Sequence, residues 1–258
     1  MKRLIVGLVT VVVLVGVGQA EGAMVFQDNF DSHTTNDPPG GWTIDAPSGT
    51  SVEVDDTVFS GASGKSVHIL DQSVGGDAHV SHGFANISNY MLTYDMYTES
   101  KNHAPSVWAA GDVGGGGDYV VLFMETGDIS ILGGGPAITL LEDYKLDTWY
   151  TVERYLNLAT DTGRVRVFET EYPLIGSEWY NIGNDGPNTY ISRVIMASAV
   201  TLPGEGYIDN VRVSAIPEPS SLIIWGVGAT CLAGYACRKT RCRVRVPMLK
   251  RLWRRSRR

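Results

Sequence analysis

The chain has 258 residues, a net charge of −7 and a mean hydropathy of −0.03. That total hides an uneven distribution: between residues 21 and 216 only eight Lys or Arg stand against 27 Asp or Glu, a balance of −19, while eleven basic residues follow Pro217. A stretch this acidic argues against nucleic acid and anionic membrane as its partners, because phosphate contacts need a basic face.

The first twenty residues read as a secretory signal peptide. Lys2 and Arg3 form the positive region, residues 4–17 the apolar core, and Gly18-Gln19-Ala20 a small-x-small cleavage site. The cut is expected after Ala20; a cut after Ala23 would put Glu21 where small residues are preferred. An uncleaved anchor is the alternative, but the apolar core is shorter than the roughly 20 residues a spanning helix needs.

Residues 21–214 carry almost no helical periodicity. Short runs of β-branched and aromatic residues alternate with turn clusters instead. Strands are expected at 51–54, 67–70, 79–84, 91–97, 119–124, 129–132, 149–158, 164–170, 191–197 and 207–213. Glu125-Thr126-Gly127-Asp128 and Asp161-Thr162-Gly163 read as hairpin turns. The Gly-rich stretches 111–117 and 133–135 read as loops, and neither ends in the Lys-Ser/Thr of a phosphate loop. About a dozen short strands at this spacing imply an all-β jelly-roll β-sandwich. No Cys lies in this stretch, so no disulfide braces it; Cys231, Cys237 and Cys242 all follow Pro217.

The C-terminus is organised differently. Residues 215–219 form a linker ending in Pro217-Glu218-Pro219. An apolar segment runs over 220–237, and a basic tail over 238–258 begins with Arg238-Lys239. As a helix the seventeen residues from Ser221 would reach about 25 Å, the thin end for a bilayer core. The positive flank predicts that the tail stays cytoplasmic and the domain lies outside. The Pro-Glu-Pro, the short Gly-containing apolar segment and the Arg-rich end resemble the PEP-CTERM sorting signal. That resemblance implies an exosortase-type processing partner and a membrane-anchored precursor. It further implies a mature form at the cell surface or outside the cell. The family's signal ends soon after its first Arg cluster, whereas this chain continues through Leu252-Trp253-Arg254-Arg255 to Arg258. A plain single-pass anchor is the alternative reading.

Three segments of the middle resemble the concanavalin A-like, laminin-G-like jelly rolls. They are Phe26-Gln27-Asp28-Asn29-Phe30-Asp31 with Gly41-Trp42, Asp147-Thr148-Trp149-Tyr150-Thr151-Val152 with its following hairpin, and Gly206-Tyr207-Ile208-Asp209-Asn210-Val211. Related modules bring first-strand and last-strand carboxylates together at a metal, so the resemblance implies a structural calcium at Asp28, Asp31 and Asp209. Hard oxygen ligands suit that ion. The bland reading is that these carboxylates cap turns.

Two functions remain to be weighed for the domain. Sugars stack on exposed aromatic rings, and Trp108, Tyr119, Trp179 and Tyr180 lie near loop-like stretches with Asn and Asp close by. Trp42 and Trp149 are assigned to the core, as buried Trp is ordinary in sandwiches. The rival is a polysaccharide-acting enzyme. Glycosidases of this fold use a Glu-x-Asp-x-x-Glu strand, and Glu53-Val54-Asp55-Asp56-Thr57 lacks the final Glu and reads as an edge strand. His79 and His82, three apart on one strand, point to opposite faces. No Gly-x-Ser-x-Gly elbow is present. The expectation is a non-catalytic module, glycan-binding or structural.

Overall fold

The computed structural model describes residues 22–61, 64–72, 78–101, 105–111, 119–133, 136–183, 188–198 and 204–217. The expected signal peptide, Glu218, Pro219, Arg238, Lys239 and the apolar C-terminal segment lie outside the described residues. Gly22–Ile216 forms one compact unit. Among the described residues every regular element is a strand, and no helix is long and apolar enough to cross a membrane.

The strands in chain order are β1 (Ala23–Asp28), β2 (Thr43–Asp45), β3 (Thr50–Asp55), β4 (Ser66–Asp71), β5 (His79–Ile87) and β6 (Asn89–Tyr97). Then come β7 (Ser106–Ala110), β8 (Val120–Phe123), β9 (Ile129–Leu132), β10 (Ile138–Leu141) and β11 (Tyr150–Asn157). The last are β12 (Thr162–Glu169), β13 (Tyr172–Gly176), β14 (Tyr180–Ile182), β15 (Ile191–Ala197) and β16 (Gly204–Ala215).

Two antiparallel sheets stack as a jelly-roll sandwich. The first, sheet A, has the order β13-β12-β11-β6-β16-β4-β3, with β1 also on β16 and β14 on β12. The second, sheet B, runs β10-β9-β8-β7-β15-β5-β2. Strand β16 lies against β6 on one side; on the other its first half pairs β4 and its second half β1.

Period-2 alternation decides which side chains meet between the sheets. From sheet A the inner set includes Val54, Val67, Leu92, Tyr94, Val152, Val167 and Val213, all essentially inaccessible. From sheet B it includes Val80, Ala109, Phe123, Ile131, Val194 and Met196. Both expected hairpins form where the turn chemistry placed them. Gly127 adopts φ +96° while the Met124 N–H donates to the Asp128 carbonyl, and Asp161 turns β11 into β12 with φ +52°. β3 is an edge strand as expected.

Trp42 is buried in the core, but Trp149 is not. It sits half-buried on the outer face of sheet A, tilted against Tyr97 at 5.2 Å, because the core position at this strand start is taken by Tyr150.

Candidate functional site

A row of four positions on sheet B's outer face comes from β2, β5, β15 and β7, at the end of the sheet that β2 closes, and they are neighbours only through register. Thr43 pairs with Ser81, Ser81 with Ile195, and Ile195 with Trp108, so these four form one outward row across the sheet. One row to one side lie Asp45 and His79, a cross-strand pair. One row to the other side, Arg193 pairs with Ala110. Together they line a cavity of about 410 Å3, within the range of ligand sites.

The chemistry is an aromatic surface with polar edges. His79 meets the Trp108 indole edge-on, centroids 6.0 Å apart and planes at 84°, which fixes the ring's attitude to the cavity. Thr43 and Ser81 bring hydroxyls, and Asp45 a carboxylate acceptor. The Arg193 guanidinium makes one long bond, Nη2 donating to the Gly111 carbonyl at 3.4 Å. Its Nε is shielded from solvent and has no acceptor.

The other expected aromatics lie elsewhere. Tyr119 precedes β8 half-buried against the core, and its carbonyl accepts from Arg154 Nη1 at 2.6 Å. Trp179 belongs to sheet A's outer face, where the Arg164 and Arg166 guanidiniums stand 4.3 and 4.7 Å from its ring. Arg166 is also bound to Glu153. Tyr180 is exposed on β14. Trp108 alone of the four reaches the cavity. It does so from mid-strand in β7, not from a loop. His79 and His82 do face opposite ways: His79 lines the cavity, while His82 stacks on Phe26 at 4.2 Å inside the sandwich.

The three acidic residues linked to calcium differ in what they bind. Asp28 accepts from the Phe30 N–H, His33 Nε2 and the Trp42 indole N–H, so both its oxygens are committed to the fold. Asp31 accepts from Asn29 Nδ2 at 2.6 Å and from the Lys65 N–H at 3.0 Å. Asp209 is instead the cross-strand neighbour of Asp95. Both are buried on sheet A's outer face, beneath the segment that carries Ser60. A β-bulge at Asn210, φ +52°, turns its side-chain amide onto Asp95 at 2.9 Å. Ser60, Thr151 and Asn210 donate to the pair. Burial pushes the Asp209 carboxyl up to about 7, against the lowering by the Ser60 and Asn210 N–H groups, with Asp95 and Asp31 raising it further. Among the described residues no three His, Cys, Asp or Glu side chains are grouped as a metal site. The Asp28 position does not fit a calcium ligand, since three protein donors already occupy it.

Comparison with known proteins adds the fold and no family. No protein-family model matches the chain, and no curated protein matches it in sequence. Among solved structures it is similar to a sialidase, with TM-score 0.58 and 14% identity over 76% of this chain and 19% of that one. The chain therefore spans about a fifth of the sialidase's length. It is also similar to the cellulose-induced protein Cip1, with TM-score 0.49 and 14% identity over 74% of this chain and 97% of that one. A lectin, UEA-II complexed with galactose, gives TM-score 0.48 and 11% identity over 74% and 99% of the two chains.

Thr43, Asp45, His79, Ser81 and Arg193 escaped the sequence reading as ligand groups. Their only signal is that they are polar residues at the outward positions of otherwise apolar strands.

Proposed function

We propose that residues 21–216 form a non-catalytic glycan-binding module, and that the outer face of sheet B is its platform. One observation carries the reading: Trp108, set edge-on to His79, lines a cavity together with the apolar Ala110 and Ile195 and with hydroxyl, carboxylate and guanidinium groups. An aromatic face takes the apolar side of a pyranose, and the polar walls take its hydroxyls. Among the described residues a single carboxylate, Asp45, lines the cavity, whereas most glycoside hydrolases flank the bond with two. The lectin and Cip1 likenesses fix no ligand for this chain.

The ends of the chain support the setting. The basic and apolar N-terminus, the Pro217-Glu218-Pro219 motif, the apolar segment after it and the tail from Arg238-Lys239 fit an exported protein sorted by an exosortase-type enzyme to the cell surface or matrix. Intact mass of the mature protein from its host tests this part. A C-terminus near Pro217 is expected, and a mass that retains Arg258 would mean a simple membrane anchor.

The platform is tested by screening the domain on an immobilised glycan panel and repeating the strongest binders with Trp108→Ala. Loss of at least tenfold in affinity, about 1.4 kcal/mol, is expected with an unchanged melting temperature. Full binding by the variant, or no glycan bound by the parent, would remove the reading.

A further inference from the structure

We propose that the glycan held on this platform is anionic, its uronate carboxylate bound by Arg193. The inference rests on the glycan-binding reading and names the class of sugar. Between residues 21 and 216 there are 27 carboxylates for eight cations, so acceptors are plentiful. The fold uses them: Lys145 meets Glu169, and Arg166 meets Glu153. Among the described residues no carboxylate is paired with Arg193. Its guanidinium lines the cavity with one 3.4 Å bond to a carbonyl and an Nε that has no acceptor. A half-buried guanidinium loses hydration, and an opposite charge normally offsets the loss. Among the described residues no carboxylate supplies it, and a bound anion would.

Geometry says which anion. Arg193 pairs with Ala110, two residues along β7 from Trp108, so the two are diagonal neighbours on one face, about 7–8 Å apart. A pyranose lying on the indole therefore has its exocyclic carbon within reach of Arg193, and a carboxylate there meets the planar guanidinium fork. Thr43 and Ser81, across Ile195 in Trp108's own row, face the hydroxyls of the next ring. Asp45 does not compete. It lies two strands and four residues away from Arg193 in register, roughly 10 Å across and 13 Å along the sheet. That exceeds the ~8 Å screening length at physiological salt, which also limits the repulsion from the domain's −19.

The experiment titrates the parent domain, Arg193→Gln, Arg193→Lys and Trp108→Ala with uronate oligosaccharides. Each oligosaccharide is paired with its carboxyl-reduced neutral counterpart, and a sulfated neutral oligosaccharide is included. The parent is expected to prefer at least one uronate over its reduced partner by tenfold or more. Arg193→Gln should erase that preference while still binding the reduced sugar, and Arg193→Lys, which keeps charge but not the fork, should fall between. Melting curves confirm that each variant is folded. Equal affinity for both members of every pair overturns the carboxylate assignment and leaves the platform standing. Preference for the sulfated sugar overturns it as well. Binding to none of the sugars, charged or neutral, overturns both readings together.

Discussion

Asp28 accepts three hydrogen bonds from residues that enclose the start of the sandwich, and the neighbouring Phe30 is buried with φ +59°. His33 completes the arrangement: its Nε2–H donates to Asp28 and its Nδ1 accepts from the Gly40 N–H, which assigns the neutral tautomer. Removing a shared acceptor strands several half-buried donors at once. Asp28→Ala is expected to cost about 2–3 kcal/mol in urea unfolding, and a change below about 0.5 kcal/mol would show that the bonds are incidental. Asp209 has the opposite character. Its carboxyl is raised by burial to about 7, while an exposed one ionises near 3.8. Between those values the unfolded chain releases its proton and the native state keeps it, so stability is fully present below about pH 4 and falls as pH rises through 7. Asp209→Asn keeps an oxygen for the Ser60 N–H and removes the titration. Its thermal midpoint should vary less than the parent's between pH 4 and 8, and parallel curves would refute this assignment.

At the scale of elements, β13 stands out as an edge strand with every residue exposed. Leu174 is 101% accessible, and Tyr172 and Ile175 flank it. Such an edge invites pairing with another chain, and Pro173 removes one donor from it. Leu174→Lys should leave the melting temperature unchanged and lower the aggregation rate seen by light scattering; destabilisation would mean that the leucine packs. Gly176→Ala is different, because a Cβ there would strike the Val167 carbonyl and Phe168, so β13 should detach and become protease-sensitive. These elements also show what the sequence made legible. Runs rich in Val, Ile and aromatics, such as Ile129–Leu132 and Ile191–Ala197, were found to the residue. β2, β10, β13 and β14 were missed because three to five residues carry too little pattern. β7, Ser-Val-Trp-Ala-Ala, was missed because only Val107 and Trp108 favour strand. All of the site but Trp108 was hidden for a deeper reason: alternate residues of four strands, from Thr43 to Arg193, become neighbours only once register is known.

For the whole molecule, the charge balance of −19 between residues 21 and 216 is a stability term in its own right. Like charges repel in the compact state, and salt within a Debye length relieves that repulsion. No disulfide opposes unfolding, since this stretch has no Cys. The melting temperature should therefore rise as NaCl goes from about 10 to 150 mM, where the screening length falls from about 30 to 8 Å. A midpoint flat across that range would show that the surface charge is too dispersed to matter. The same titration addresses calcium, which remains a proposal resting on the resemblance to jelly-roll modules. Screening alone makes calcium equivalent to NaCl of matched ionic strength. A bound ion stabilises in proportion to RT ln(1 + [L]/Kd) and keeps acting where matched NaCl does not. Asp28 is committed to protein donors, so a bound ion would have to use Asp31 or the Asp95–Asp209 pair. Its stabilisation would vanish in Asp209→Asn where the pair holds the ion and persist where Asp31 holds it. A calcium effect that matches NaCl, or that survives this substitution, excludes Asp209 as a ligand and leaves the buried pair as a purely protein-bonded element of sheet A.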